Sequence, residues 1–198
     1  MYIADPMLLE PPRAAQLPEY QSIFLETDRL LLITAQERPL CVRWVTDEDT
    51  ALLVDLIARL SDRARRLRFF RPLPDAALIE QEAARVTQRE PQLGAALVAT
   101  THERGQERAV ALAELAHDLA APTTAELAVV VRDDYQRAGV GTLLLRRLIE
   151  LAPRRDVRAL RATFWAENQA VRRLLHNLGL AYRAELRSGE LTVWAELP

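Results

Sequence analysis

Lysine is missing altogether: all 26 basic residues among the 198 are arginine. That excludes Schiff-base catalysis and the lysine of phosphate-loop NTPases. A lysine-modifying enzyme that spares itself and a genome rich in arginine codons both account for the absence. Cysteine is nearly absent too. The single Cys41 cannot close an intramolecular disulfide, so it reads as core filler in a chain expected to be cytoplasmic. No segment approaches the roughly 20 apolar residues that span a bilayer, and Met1 to Pro6 carries no basic region before an apolar run. No membrane role is expected. Charge of one sign is also lacking, since the formal net charge is -2. The whole chain therefore has no electrostatic footprint for nucleic acid, and any phosphate binding must be local.

What is present is ordinary for a globular protein, with 49% apolar and 27% charged residues, and the length suits one catalytic domain plus an extension. Residues 1–36 read as an arm, marked by Pro6, Pro11, Pro12 and Pro18, with one extra strand within Phe24 to Thr34. Residues 37–198 read as the domain. Strand composition at Leu40 to Val45 leads through Thr46-Asp47-Glu48-Asp49 into a helix carrying Leu52, Leu53, Leu56, Ile57 and Leu60. Two more helices follow, over Asp62 to Phe70 and from Asp75 to about Glu90, where Pro91 stops the pattern. Gly94 to Thr101 and Arg108 to Leu115 form a hairpin, and Thr124 to Arg132 a further strand. After a glycine turn comes a helix ended by Pro153. Then come a strand over Val157 to Trp165, a helix over Asn168 to Leu178 capped by Gly179, and a closing hairpin over Tyr182 to Leu186 and Leu191 to Leu197. The class is α/β (α+β).

The most informative stretch runs from Val129 through Gln136, Arg137, Ala138, Gly139, Val140 and Gly141 to Thr142: an apolar strand, a polar turn, and a helix start with two glycines. Glycine permits close backbone approach, and the first amides of a helix have no intrahelical partner and sit at its positive end. Such a turn suits a diphosphate. Bulk at Gly141 is expected to obstruct it. A dinucleotide fold would want a third glycine near Leu144 and an acid where Arg161 stands, and a phosphate-loop NTPase would want the absent lysine. Neither fits.

Gln136-Arg137-Ala138-Gly139-Val140-Gly141 resembles the Q/R-x-x-G-x-G/A acyl-CoA motif of the GNAT acetyltransferases. Downstream, Asn168 to Leu180 resembles that family's Asn-led helix ending in Leu-Gly-Phe, and the likeness extends over roughly Leu40 to Leu197. It implies a mixed central sheet of about seven strands flanked by helices. The strands at Thr124 to Arg132 and Val157 to Trp165 would splay to form the acyl-CoA cleft. Acetyl-CoA is then the cosubstrate, with no metal. Backbone groups of Val129 and Val131 would hold the pantetheine arm, amides from Arg137 to Thr142 the diphosphate, and Asn168 the pantetheine, unless Asn168 only caps its helix. Leu175 stands where many relatives carry a tyrosine acid, and Leu180 replaces the phenylalanine.

Acylating an amine needs a base, because a lysine with pKa about 10.4 is almost wholly protonated at neutral pH. Glu126 opens the cleft strand ahead of five apolar residues, where partial burial would tune it to accept a proton. Glu114, His117 and Asp118 are rivals, the last two resembling the solvated end of a hairpin arm. Leu67-Arg68-Phe69-Phe70-Arg71-Pro72 together with Ala125-Glu126-Leu127-Ala128-Val129 is similar to bacterial Pat-type protein lysine acetyltransferases. That likeness implies Glu126 as general base and a protein lysine acceptor, for example on an acyl-CoA synthetase, although Phe69 and Phe70 also suit simple core packing. A small-amine acetyltransferase and a catalytically silent acyl-CoA-binding regulatory module remain open, and nothing sets an oligomeric state.

Overall fold

The structure is a computed structural model that describes residues 22–25, 29–34, 38–71 and 75–197; the expected arm before residue 22 lies outside them. In chain order it runs β1 (Ser22–Leu25), β2 (Arg29–Ile33), β3 (Pro39–Trp44), α1 (Thr50–Arg59), α2 (Asp62–Phe69), α3 (Ala76–Thr87), β4 (Gly94–Glu103), β5 (Gln106–Asp118) and β6 (Ala121–Val131). It continues with α4 (Val140–Leu151), β7 (Ala159–Trp165), α5 (Gln169–Leu178), β8 (Arg183–Arg187) and β9 (Glu190–Glu196). The strands make one sheet in the order β1-β2-β3-β4-β5-β6-β7-β9-β8. Nine strands are thus present among the described residues where about seven were expected. The stretch read as one extra strand is instead two strands paired antiparallel, Leu25 opposite Arg29.

Hydrophobic patterning explains the layering. On one face α4 buries Leu144, Leu145 and Leu148 over Ala111, Ala113, Leu115, Ala125, Leu127 and Leu160. On the other, Leu53, Leu56 and Ile57 of α1 and Ile79, Ala83 and Val86 of α3 cover Ala96, Val98, Leu112 and Val130. Alternate residues of one strand feed opposite layers because side chains in a strand point to alternate faces. Each fully buried leucine contributes about 1.5–3 kcal/mol relative to an exposed one. The alanines of β5 let α4 lie close to the sheet.

The helix α2 differs in kind. None of its residues is fully buried; Ala64 and Phe69 pack partly buried against the core, and polar ties add to them. Ser61 caps its start, its Oγ accepting from Ala64 N at 3.2 Å. At the other end Phe70 closes it in the left-handed region, with φ 58°.

Candidate active site

The sheet opens at its only parallel junction among the described residues. β6 pairs with β7 at Thr124–Ala159, Ala125–Leu160 and Glu126–Arg161, and no further. Beyond that point β6 is held only by β5, up to Val131, and β7 only by β9, up to Trp165. The amide of Arg132 donates to Val110 O on the β5 side, whereas Thr123 O accepts from Arg158 N on the β7 side. By alternation, the backbone groups of Val129 and Val131 point into the opening. The splay expected between these strands is therefore present. One carbonyl is engaged already: Gln136 Nε2 donates to Val131 O at 3.1 Å, tying the turn to the end of β6.

The glycine turn follows at the mouth of this opening. Arg137 (φ 61°) and Gly139 (φ 79°) both adopt the left-handed conformation, and the second is the N-cap of α4. With Gly139 there, no side chain caps the helix, and the first helical bond runs from Leu143 N to Gly139 O at 3.1 Å. The amides of Val140, Gly141 and Thr142 precede it, so an anion can take them at the positive end of the dipole. Ala138, Val140, Gly141 and Thr142 are buried, while Gln136 and Arg137 are exposed. Packing also bears on Gly141. A Cβ there would lie 3.2 Å from Leu174 Cδ1 and 3.4 Å from Val131 Cγ2; its missing side chain faces the contact of α4 with β6 and α5. Asn168 is buried and caps α5 by accepting from Val171 N at 3.3 Å.

Glu126 sits at the apex, as the last residue of β6 paired to β7. Its side chain is 45% exposed, less buried than expected, and its Oε2 accepts from Arg161 Nη2 at 3.1 Å. The same guanidinium bonds Asp118 Oδ2 at 3.0 Å. Asp118 is thus no solvated arm end: β5 continues to it, and Arg161 reaches across from β7. Its neighbour His117 has Nδ1 3.3 Å from Pro122 O. Arg161 escaped notice in the sequence because only the register of two distant strands sets it opposite Glu126.

Glu114 is a different kind of group. Only 3% exposed, it meets Arg85 Nη1 at 3.0 Å, Arg89 Nη2 at 2.9 Å and the Arg68 guanidinium. Burial alone would push its pKa up, but the three guanidiniums outweigh it and bring the carboxyl down to about 2. A carboxylate so held is a poor proton acceptor at neutral pH and serves as a structural hub. Further ties fix α2 over the opening. Asp133, just before the glycine turn, accepts from Ser61 N at 3.0 Å and Ser61 Oγ at 2.8 Å. Arg66 meets Glu167 at 2.9 Å, and Phe70 packs on Trp165 with ring centroids 5.7 Å apart.

A layered α/β fold whose sheet parts beside an uncapped, glycine-started helix is that of the N-acyltransferases. Residues 58–180, more than half of the chain, match the Acetyltransferase (GNAT) family. An acetyltransferase of Pseudomonas aeruginosa is 33% identical over 144 residues, 72% of this chain and 75% of that protein. Among solved structures, the GNAT domain of S. lividans PAT aligns with a TM-score of 0.74 at 21% identity, over 88% of this chain and 100% of that domain. A cAMP-binding acyltransferase from Mycobacterium smegmatis aligns at 0.56 and 20% identity over 90% of this chain, which spans 48% of that protein. The chain belongs to the GNAT family, and it is an acyl-CoA-dependent N-acetyltransferase. Among the described residues no helix is long and apolar enough to cross a membrane.

Proposed function

We propose that the chain moves an acetyl group from acetyl-CoA to the side-chain amine of a protein lysine, with Glu126 as general base and an acyl-CoA synthetase as a candidate acceptor. The observation that carries this reading is the register: the parallel pairing of β6 with β7 ends at Glu126, which puts a carboxylate at the apex of the opening. Acetyl-CoA supplies the activated thioester. The outward backbone groups of Val129 and Val131 suit its pantetheine amides. The amides at Arg137, Ala138, Gly139, Val140, Gly141 and Thr142 suit its diphosphate, with Gln136 fastening that turn to β6. Asn168, its oxygen already given to the cap, would offer its amide N–H groups to the pantetheine.

The chain's work at the reacting end is proton transfer. The acceptor nitrogen must be neutral to attack the thioester carbonyl, and Glu126 takes its proton directly or through a water. Arg161 holds Oε2 of Glu126, leaving the second oxygen to receive it, while Asp118 shares the guanidinium's charge. The departing sulfur needs no acid such as a tyrosine at Leu175, because a thiol with pKa about 8.5 leaves readily as thiolate.

The test is acetylation of purified acyl-CoA synthetases by wild type and Glu126→Gln, read by mass spectrometry. Site-selective acetyl-lysine above the non-enzymatic background is expected for the wild type. Reaction with polyamines or antibiotics alone would replace the protein lysine by a small amine. Tight acetyl-CoA binding with no acceptor acylated would favour the silent regulatory module.

A further inference from the structure

Trp165 ends β7 and carries a polar atom that the fold does not use. Its indole Nε1 is buried, and among the described residues it finds no hydrogen-bond acceptor. Native structures leave few buried donors in that condition. Two other buried nitrogens share it, Arg89 Nη1 and Arg132 Nη1, but each belongs to a guanidinium whose other nitrogens hold carboxylates. The indole N–H is the only polar group Trp165 has. Neighbouring hydroxyls are satisfied, with Thr163 Oγ1 3.2 Å from Thr192 Oγ1.

The position of this donor is informative. Arg161, Thr163 and Trp165 share one face of β7 by strand alternation, and Arg161 is the residue that grips Glu126. Trp165 therefore lies on the Glu126 face, four residues along the unpaired part of β7, about 13 Å from Arg161 at the usual strand rise. Phe70, the C-cap residue just after α2, packs on its ring. The turn between β8 and β9 lies along its other edge: a Cβ at Gly189 would lie 3.8 Å from Trp165 Cζ3.

We infer that Trp165 binds the acceptor, its indole N–H donating to a carbonyl oxygen of the amine substrate. The inference rests on the acyl-transfer reading at Glu126. It narrows the acceptor to amines that carry an amide carbonyl several bonds from the nitrogen, as a peptidyl lysine does and a plain alkylamine does not. The N–H is buried in the free chain, so the Phe70 side chain, just beyond the anchored end of α2, turns aside as the acceptor enters.

Trp165→Phe keeps a ring against Phe70 and removes only the donor. Steady-state acetylation would be measured with Nα-acetyl-lysine N-methylamide and with pentylamine. For the variant, KM for the amide probe should rise roughly tenfold, as for one lost hydrogen bond, with kcat and the acetyl-CoA KM little changed and the pentylamine KM unmoved. The urea midpoint should stay equal or rise, since a buried donor without a partner has gone. An unchanged amide KM with a lower urea midpoint would overturn the inference by assigning the N–H to a structural water. Equal KM increases for both probes would overturn it in favour of ring packing. Wild type that acetylates pentylamine alone, or neither probe, overturns the acceptor class. The Glu126 reading falls separately, if Glu126→Gln turns over the probes at the wild-type rate.

Discussion

Replacing Glu114 by glutamine keeps the volume and one acceptor oxygen but removes the charge on which three guanidiniums converge. Arg68 and Arg89 are 15% and 13% exposed at the side chain, whereas Arg85, at 43%, retains Glu82 as a second partner at 3.0 Å. Two largely buried cations therefore lose their counter-ion. Breaking buried pairs in this way typically costs about 3–5 kcal/mol. The pH dependence gives an independent handle. Folding lowers the Glu114 pKa from 4.5 to about 2, so its stabilisation is complete above pH 4.5 and fades as the pH falls towards 2. A shift of that size is worth about 3 kcal/mol in total, of which about 1.4 kcal/mol is gone at pH 3.5. Urea denaturation of wild type and Glu114→Gln at pH 7, 5 and 3.5 would show it. The stability gap between the two proteins should be widest at pH 7 and narrow by about that amount at pH 3.5. Other carboxylates titrate in both proteins and cancel in the difference. A gap that stays constant from pH 7 to 3.5 would refute the view that a charged Glu114 anchors α2 and α3 to β5. The folded fraction of the variant should still transfer acetyl groups if, as proposed, Glu126 is the proton acceptor.

Glu126→Gln should lower turnover by roughly 100- to 10,000-fold, the usual contribution of a positioned base. Calorimetric acetyl-CoA affinity should hold, and higher pH should partly rescue the rate; near-normal neutral turnover with chemistry rate-limiting would make the residue structural. Gly139→Val forces a β-branched residue to φ 79°, so both thermal stability and acetyl-CoA affinity should drop. Gly141→Val should also do both, now because its side chain meets Leu174 and Val131; affinity lost at unchanged stability would instead place that side chain on the ligand. Ser61→Ala removes the cap of α2 and one bond to Asp133, and should cost about 1 kcal/mol in urea. Faster amide hydrogen exchange confined to residues 62–69 would locate the loss, whereas uniform exchange throughout would contradict a local latch.

Local signals were enough to read α1, α3 and α5 from the sequence, because Asp75 and Asn168 cap helices whose apolar residues recur at helical spacing. The hairpin of β4 with β5 and the glycine start of α4 were legible for the same reason: turn chemistry and periodicity act over a few residues. The GNAT motif could be seen because it is contiguous. The pairing of Ser22–Leu25 with Arg29–Ile33 as two strands was missed, although the polar residues Glu26, Thr27 and Asp28 divide the two apolar runs. The place where β6 and β7 part company was not readable, since it depends on the register between residues 35 apart. The hub at Glu114 gathers arginines from α2, from α3 and from just beyond α3, and Arg161 faces Glu126 only because two strands lie side by side. Chain order put Glu126 ahead of Glu114 as a base, and the guanidiniums that tertiary packing brings around Glu114 make it a structural hub. Gly141 shows the same division: a helix starting with glycine is written in the chain, but what a Cβ there would meet is decided by Leu174 and Val131, residues that come beside it only after the sheet and helices have packed.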